Sequence, residues 1–375
     1  MIRDYFATRL EDTKVHEVFV RPRALCVFVA SPVAPVLPFG KVMPTESEII
    51  SRIRRRSHSS GDVLIGIGDD AAVLKNTSET DLLACCDLMV EGVHFRLDWT
   101  TPRMLGRKAL AVNLSDIASM GGVPKFAMIG IALTSQCSAE FVDELFGGIF
   151  ELADEHGVSI VGGDTSSSRD SLFIDVSVIG ECETGKAITR RGATIGDKIY
   201  VSGSLGASAL GLSLLKEGGR LEDLKDRSDA KQQAIFKHLA PEPRLKLGRA
   251  LGEAGLATSM IDISDGLSTD LWHILDESHA GALIHAEAVP IAGCVVSLSR
   301  GTGGIDPLRL ALDGGEDYEL LFTVRPESEK QLMALAETIG TKITPIGEIV
   351  GEMRLSIEVN GAIESVERSG YEHLI

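Results

Sequence analysis

Six short segments place carboxylates beside glycines or after apolar runs. They are Gly66-Ile67-Gly68-Asp69-Asp70, Asp87 after Leu82–Cys86, Asp116, Gly162-Gly163-Asp164-Thr165, Asp262-Ile263-Ser264-Asp265-Gly266 and Gly314-Gly315-Glu316-Asp317. An aspartate that follows an apolar strand stands at the strand's carboxyl end, where open α/β sheets bind ligands. An adjacent glycine lets a ligand come close to the backbone. Several hard oxygen donors in one place suit magnesium with bound phosphates. Taken singly, an aspartate of this kind reads as a turn or helix cap, and Asp116 reads as a solvated helix residue. Sequence alone does not bring the six together in space.

Other signals are weaker. Gly180-Glu181-Cys182-Glu183-Thr184-Gly185-Lys186-Ala187 matches most of a phosphate-binding loop but lacks the closing Ser or Thr, and no helix start follows it. It is set aside. His94, seven residues after Asp87, reads first as a structural histidine. Arg190 and Arg191 read either as a surface pair or as a guanidinium fork for phosphate.

The elements that must position these groups alternate between strand and helix patterns. Strand-like runs occur at Val63–Ile67, Leu82–Cys86, Lys125–Leu133, Val158–Val161 and Leu172–Ile179. Helical patterns fill Thr101–Met120, with Pro102 in its first turn and Gly121 after it, and Ser138–His156, closed by Gly157. Beyond Arg190 come strands at Lys198–Val201, Ser259–Ile263, Ala282–Ala286, Tyr318–Val324 and Ile343–Ile349. Helices are expected at Ala207–Lys216, Pro241–Gly252, Leu267–Ser278 and Glu327–Ile339, with a charged loop over Gly218–Lys231. This is a mixed α/β (α+β) chain in two halves. Residues 1–42, rich in arginine and proline, read as a disordered extension or as sequence upstream of a true start at Met43. They are expected to be dispensable. Thr45–Glu48 reads as a capping box that opens a helix running into Arg54–Arg56.

Composition narrows the partners. Of 375 residues, 44% are apolar and 24% charged, as in soluble globular proteins with a large core. A formal net charge of -17 argues against a nucleic-acid-binding surface, which needs a basic face. It is compatible with phosphate ligands approached through metal ions. No apolar run is long enough to span a membrane, and the apolar stretch Ala24–Phe39 is broken by three prolines. The six cysteines form no CxxC pair, so reduced thiols in a cytoplasmic protein are expected.

Taken in order, the segments resemble the thiamine-monophosphate kinase family. The matching pieces are GIGDDAAV at 66–73, DLMVEGVHF at 87–95, NLSDIASMGGVP at 113–124, VGGDT at 161–165, TRRGATIGD at 189–197, ISDGLSTDL at 263–271 and GGEDYELLF at 314–322. The resemblance covers roughly residues 44–375. The superfamily also holds aminoimidazole-ribonucleotide synthetase, selenophosphate synthetase and a hydrogenase-maturation protein.

The resemblance implies a two-domain homodimer. Residues 44–190 would form an N-terminal ATP- and magnesium-binding, dimerising domain, and residues 191–375 a C-terminal α/β domain. It implies magnesium ligands at Asp70, Asp87, Asp116, Asp164, Asp262 and Asp265. ATP contacts fall at Gly163, Asp164, Arg190 and Ser264, and substrate contacts at His94, Glu316 and Tyr371. The implied reaction takes ATP and thiamine monophosphate to ADP and thiamine diphosphate. Alternatives are another ATP-dependent synthetase of the superfamily, or a non-catalytic nucleotide-binding relative. One departure stands out: Cys85 and Cys86 occupy positions where the family carries Ser or Thr as metal ligands, and a thiol suits magnesium poorly.

Overall fold

Two mixed sheets and the helices packed on them make up the described chain. The structure, a computed structural model, describes residues 63–221, 228–300 and 304–367. The extension at 1–42, the capping box at 45–48, the helix into Arg54–Arg56 and Tyr371 lie outside the described residues.

The first sheet uses β1 (Val63–Ile65), β2 (Ala72–Lys75), β3 (Thr80–Val90), β4 (Val123–Leu133), β5 (Ser159–Ser167) and β6 (Phe173–Glu183). Their spatial order is β1-β2-β3-β6-β4-β5, antiparallel except for the parallel β4–β5 pair. Two helices, α1 (Pro102–Ser119) and α2 (Ala139–His156), belong to the same half. Strand β3 runs further than its apolar pattern suggested. Leu83, Cys85, Asp87 and Met89 alternate onto its inner face, so Asp87 lies within the strand and not at its end.

The second half supplies β7 (Lys198–Ser202), α3 (Ala207–Lys216), α4 (Ala230–Leu239), α5 (Leu245–Ala254), β8 (Ala257–Asp262), α6 (Leu267–Ser278) and β9 (Gly281–His285). It continues with α7 (Gly293–Ser299), α8 (Pro307–Asp313), β10 (Leu320–Val324), α9 (Glu329–Ile339), β11 (Ile343–Val350), β12 (Leu355–Val359) and β13 (Ala362–Ser365). The sheet order is β13-β12-β9-β11-β7-β10-β8. The expected loop at Gly218–Lys231 ends in the start of α4, where the Asp229 carboxylate accepts from the amides of Lys231 and Gln232 at 2.9 and 3.0 Å. The helix expected from Pro241 starts at Leu245, and α7 and α8 were not foreseen.

Helix α1 is the scaffold on which the rest is arranged. Thr101 Oγ1 caps it by accepting from the Met104 amide at 3.3 Å, and Pro102 takes the first position, where no amide is needed. The helix packs against α2, α5, β3, β6 and β8. Its approach to α2 is backbone on backbone. A Cβ on Gly106 would meet the Leu145 carbonyl oxygen at 1.9 Å, and one on Gly148 would meet the Arg103 carbonyl oxygen at 1.9 Å. The residues at a helix contact set its spacing, and these two glycines let α1 and α2 close fully.

One continuous core runs from Leu83, Ile117 and Val176 of the first sheet to Leu251, Met260 and Phe322 of the second half. A second core, including Ile199, Ile261, Leu271 and Ile346, fills the space under α6. Among the described residues the opposite face of the first sheet is open. Leu88, Phe126 and Met128 stand exposed there.

Candidate functional site

Along α1, Lys108, Ser115, Asp116 and Ser119 fall seven, eight and eleven residues apart, which is one helical face. That face meets the loops after β8 and β1. Ser115 Oγ donates to Asp262 Oδ2 at 2.6 Å, and Ser119 Oγ donates to Asp70 Oδ2 at 2.6 Å. Asn113, on the same helix, accepts the Asp87 amide through Oδ1 at 3.0 Å. Asp70, Asp87, Asp116 and Asp262, drawn from four distant segments, are thereby gathered in one place.

Their proximity shows in their acidity. Burial, then repulsion from Asp87, Asp262 and Asp70, pushes the Asp116 carboxyl far up. Burial and Asp70 push Asp262 up to about 8, against the Ser115 hydrogen bond. Burial and Asp70 raise Asp69 to about 7. Carboxylates crowded in low dielectric disfavour one another's charge.

One guanidinium answers part of this. Arg190 Nε donates to Asp70 Oδ1 at 3.0 Å, Nη2 donates to the same oxygen, and the Arg190 amide donates to Asp69 Oδ1 at 3.1 Å. An all-oxygen set with excess negative charge fits a divalent hard cation. Cys85 does not join that set as a thiolate. Burial and the charges of Asp116 and Asp87 raise its thiol, and it donates to the Asn113 carbonyl at 3.5 Å. Cys86 points to the other face of the sheet and donates to Asp175 Oδ1 at 3.0 Å.

Asp265 and Ser264 sit in the loop between β8 and α6. That loop is held by Asp270, whose Oδ2 accepts from the amides of Ser264, Asp265 and Gly266 at 3.1 Å each. The ligand atoms of Asp265, Asp270 and His273 lie within 4.8 Å of one another. Burial, then Asp265 and Asp262, raises the Asp270 carboxyl well above the carboxylate range. The Ser264 carbonyl accepts from the Glu316 amide at 2.7 Å, which ties this loop to the Gly-Gly-Glu-Asp turn.

Glu316 itself, at φ 62°, accepts from Lys108 Nζ on Oε2 at 3.1 Å and lies 3.0 Å from His238 Nδ1. A pocket lined by His94, Trp99, Thr100, Lys108 and His238 opens beside them. His94 Nδ1 accepts the Val90 amide at 3.0 Å. His94 thus shares a pocket with Lys108 and His238, the two residues that hold Glu316.

Asp164 is placed apart from the other carboxylates. It stands exposed on edge strand β5, in one row with Gly130, Asp175 and Leu88, which belongs to the open face of the sheet. Gly163, its neighbour, could take no side chain, since a Cβ there would meet the Ile129 carbonyl oxygen at 1.9 Å.

Sequence reasoning missed Ser115, Ser119, Asn113, Lys108, His238 and Asp270. The helical spacing along α1 carries the signal for Lys108, Ser115 and Ser119. An acid four residues into α6, after Gly266, carries the signal for Asp270. His238 had none, because α4 was not foreseen.

Residues 68–182 match the N-terminal domain of AIR synthase related proteins, and residues 194–360 match the C-terminal domain. The chain is 35% identical to the thiamine-monophosphate kinase of Bacillus subtilis (strain 168) over 330 residues, 88% of this chain and 99% of that protein. It is 37% identical to that of Escherichia coli (strain K12) over 330 residues, 88% of this chain and 98% of that protein. Among solved structures, AaThiL complexed with AMPPCP and TMP superposes with a TM-score of 0.76 at 30% identity, covering 88% of this chain and 97% of that one. The chain belongs to the thiamine-monophosphate kinase family, within the AIR synthase related proteins.

Proposed function

We infer that this protein transfers the terminal phosphoryl group of ATP to thiamine monophosphate, giving thiamine diphosphate and ADP. The observation that carries the reading is the gathering of Asp70, Asp87, Asp116 and Asp262 on one side of the first sheet. A pocket holding His94 and Lys108, with Glu316 on that lysine, belongs to the same region. The curated relatives are thiamine-monophosphate kinases across almost their whole length.

Asp70, Asp87, Asp116, Asp262 and Asp265 would hold magnesium. Bound there, the metal supplies neutralising charge between the phosphates of two anionic substrates. The rest falls to the chain's own groups. Arg190 offers a fork to ATP phosphates, and Ser264 offers a hydroxyl beside the held loop. Glu316 and His94 take the thiamine side. The accepting phosphate oxygen is already ionised at neutral pH, so no strong general base is required. Catalysis is then mainly positioning and charge neutralisation. Closure of α1 on α2 fixes the helix face that carries Ser115 and Ser119.

We read Gly163 and Asp164 as further ATP- and metal-side residues, and residues 44–190 and 191–375 as the two domains. Leu88, Phe126 and Met128 on the open sheet face support a homodimer through that face, since exposed apolar patches mark interfaces. Met128→Asp is expected to give monomers in analytical ultracentrifugation, and a wild-type protein that sediments as a monomer removes this reading. Cytoplasmic placement is supported by free thiols at Cys85, Cys86, Cys137, Cys182 and Cys294. Among the described residues no helix is long and apolar enough to cross a membrane.

The deciding experiment couples ADP release to product identification with thiamine monophosphate as acceptor. Thiamine diphosphate is the expected product, and activity should vanish on chelation of divalent ions. In the same assay His94→Ala should raise KM for thiamine monophosphate about tenfold or more while KM for ATP stays within about twofold, as for loss of one polar contact to one substrate. Equal weakening of both substrates would remove His94 from the thiamine side. ATP bound without turnover, or turnover of another acceptor alone, would overturn the activity.

A further inference from the structure

Behind Glu316 lies a buried network that the reading above leaves without a task. Lys108 reaches out from α1 with its side chain only 4% exposed. Its Nζ donates to Glu316 Oε2 and to the His238 carbonyl oxygen, both at 3.1 Å. His238 Nδ1 lies 3.0 Å from the same Glu316 oxygen and 3.1 Å from Ser208 Oγ. A carboxylate oxygen that close needs the ring proton on Nδ1. Oε2 of Glu316 therefore accepts two hydrogen bonds, one from an ammonium and one from an imidazole.

The residue carrying this carboxylate is in the left-handed region at φ 62°, which a non-glycine side chain adopts when its surroundings impose it. Here they do. The Glu316 amide is tied to Ser264, Gly315 sits hard against the Ser264 carbonyl, and Asp317 accepts the Gly206 amide at 2.7 Å. Backbone and carboxylate are both fixed before any substrate arrives. Lys108 and His238 also line the pocket beside His94.

We propose that Lys108 and His238 are positioning residues that pin one oxygen of Glu316, present the other to the thiamine-side substrate, and so set the affinity for that substrate. The inference rests on the thiamine monophosphate reading above. A fixed carboxylate recognises a cationic thiazolium or a ring amine better than a mobile one, because ordering is done in advance.

Electrostatics gives the network a distinctive signature. Burial works to raise the Glu316 carboxyl, and Lys108, then His238, overcome it and hold it at about 2. Burial and the nearby Lys108 keep His238 below the usual histidine range, with Lys216 acting in the same sense. Other groups near this site are the Tyr318 phenol, which burial and Glu316 push well up, the adjacent Asp317 carboxyl, raised to about 7 chiefly by burial, and His94 in the shared pocket. Without Lys108, burial has only the His238 hydrogen bond against it. Glu316 then takes up a proton as pH falls through the assay range, since buried glutamates titrate well above their ordinary value. A protonated Glu316 no longer attracts a cation.

The test is steady-state kinetics of Lys108→Met, Glu316→Gln and the double variant from pH 6 to 8.5, each beside wild type and a thermal melt. In Lys108→Met, KM for thiamine monophosphate relative to wild type should grow about fivefold or more from the alkaline to the acid end, given tenfold per pH unit below a pKa. KM for ATP should stay flat. His238→Phe should show the same trend, more weakly. On the Glu316→Gln background, Lys108→Met should add less than about twofold, the ordinary scatter of independent sites. That double variant leaves no unpaired buried charge, so it stays testable if the single variant fails to fold. A pH-independent ratio, an equal rise for ATP, or the full Lys108 effect on the Glu316→Gln background overturns the inference. Wild-type protein that does not convert thiamine monophosphate overturns the underlying reading, and the inference with it.

Discussion

Asp262→Asn is expected to cut turnover by a hundredfold or more while making the metal-free protein more stable. Asp262 is buried, bonded to Ser115, and set among Asp70, Asp87 and Asp116. A magnesium-held phosphoryl transfer draws several kcal/mol of charge stabilisation from its ligand set. Each loss of about 1.4 kcal/mol is tenfold in rate, so removal of one anionic ligand accounts for the hundredfold. The stability change has the opposite sign. Folding raises the Asp262 carboxyl from 3.8 to about 8. The folded state therefore binds more protons than the unfolded chain between those values, and stability declines as pH rises across that window. An amide does not titrate, so the variant escapes the decline. Its metal-free melting temperature should exceed that of wild type, more at pH 8 than at pH 5, for a gain of roughly 1–2 kcal/mol. Added magnesium should stabilise wild type far more than the variant. A folded Asp262→Asn enzyme with ordinary turnover would falsify the assignment of Asp262 to the metal-bearing set.

Why these carboxylates and not others were legible is a matter of range. Asp70, Asp87 and Asp262 each announce themselves locally, by a glycine neighbour or an apolar run, as do the helices bounded by Thr101 and Gly157, whereas Asp116 by itself reads as a solvated helix residue. What joins them is not local. Lys108 and Glu316 are 208 positions apart, and Ser115 and Asp262 are 147 apart. No periodicity within a segment encodes such a pairing. The helix face of Lys108, Ser115, Asp116 and Ser119 was readable in its spacing, but uncharged serines beside apolar neighbours look like ordinary helix filling. Asp164 shows a different limit. Its Gly-Gly-Asp signal suggests the same cluster, yet the alternation of side chains along β5 puts it on the opposite, open face of the sheet. Strand parity depends on where pairing begins, and a register shift between Ala127 and Met128 resets it. Cys85 and Cys86, adjacent in sequence, part for the same reason, one toward Asn113 and the other toward Asp175.

Arg190→Met should destabilise the metal-free protein strongly and enlarge the effect of magnesium on its melting temperature. The Asp70 side chain is 2% exposed, and both of its oxygens are engaged, one by the Arg190 guanidinium and one by Ser119. Without a metal ion, that guanidinium is the positive charge that Asp70 and Asp69 share. Taking it away leaves a buried carboxylate with only a hydroxyl and repelling neighbours, a loss of about 3–5 kcal/mol for a broken buried pair. An ion that binds only the folded state restores stability by mass action. It acts most where the charge deficit is greatest, so the magnesium-induced shift should be larger in the variant than in wild type. On the proposed role of Arg190 at the ATP phosphates, the same substitution should also raise KM for ATP about tenfold or more, against little change for thiamine monophosphate. The two effects come from one side chain in two roles. In the metal-free protein Arg190 balances Asp70 and Asp69; with magnesium bound, the expected results would assign the guanidinium to the nucleotide. Equal magnesium shifts in wild type and variant would break this exchange, leaving Arg190 as a structural partner of Asp70 alone.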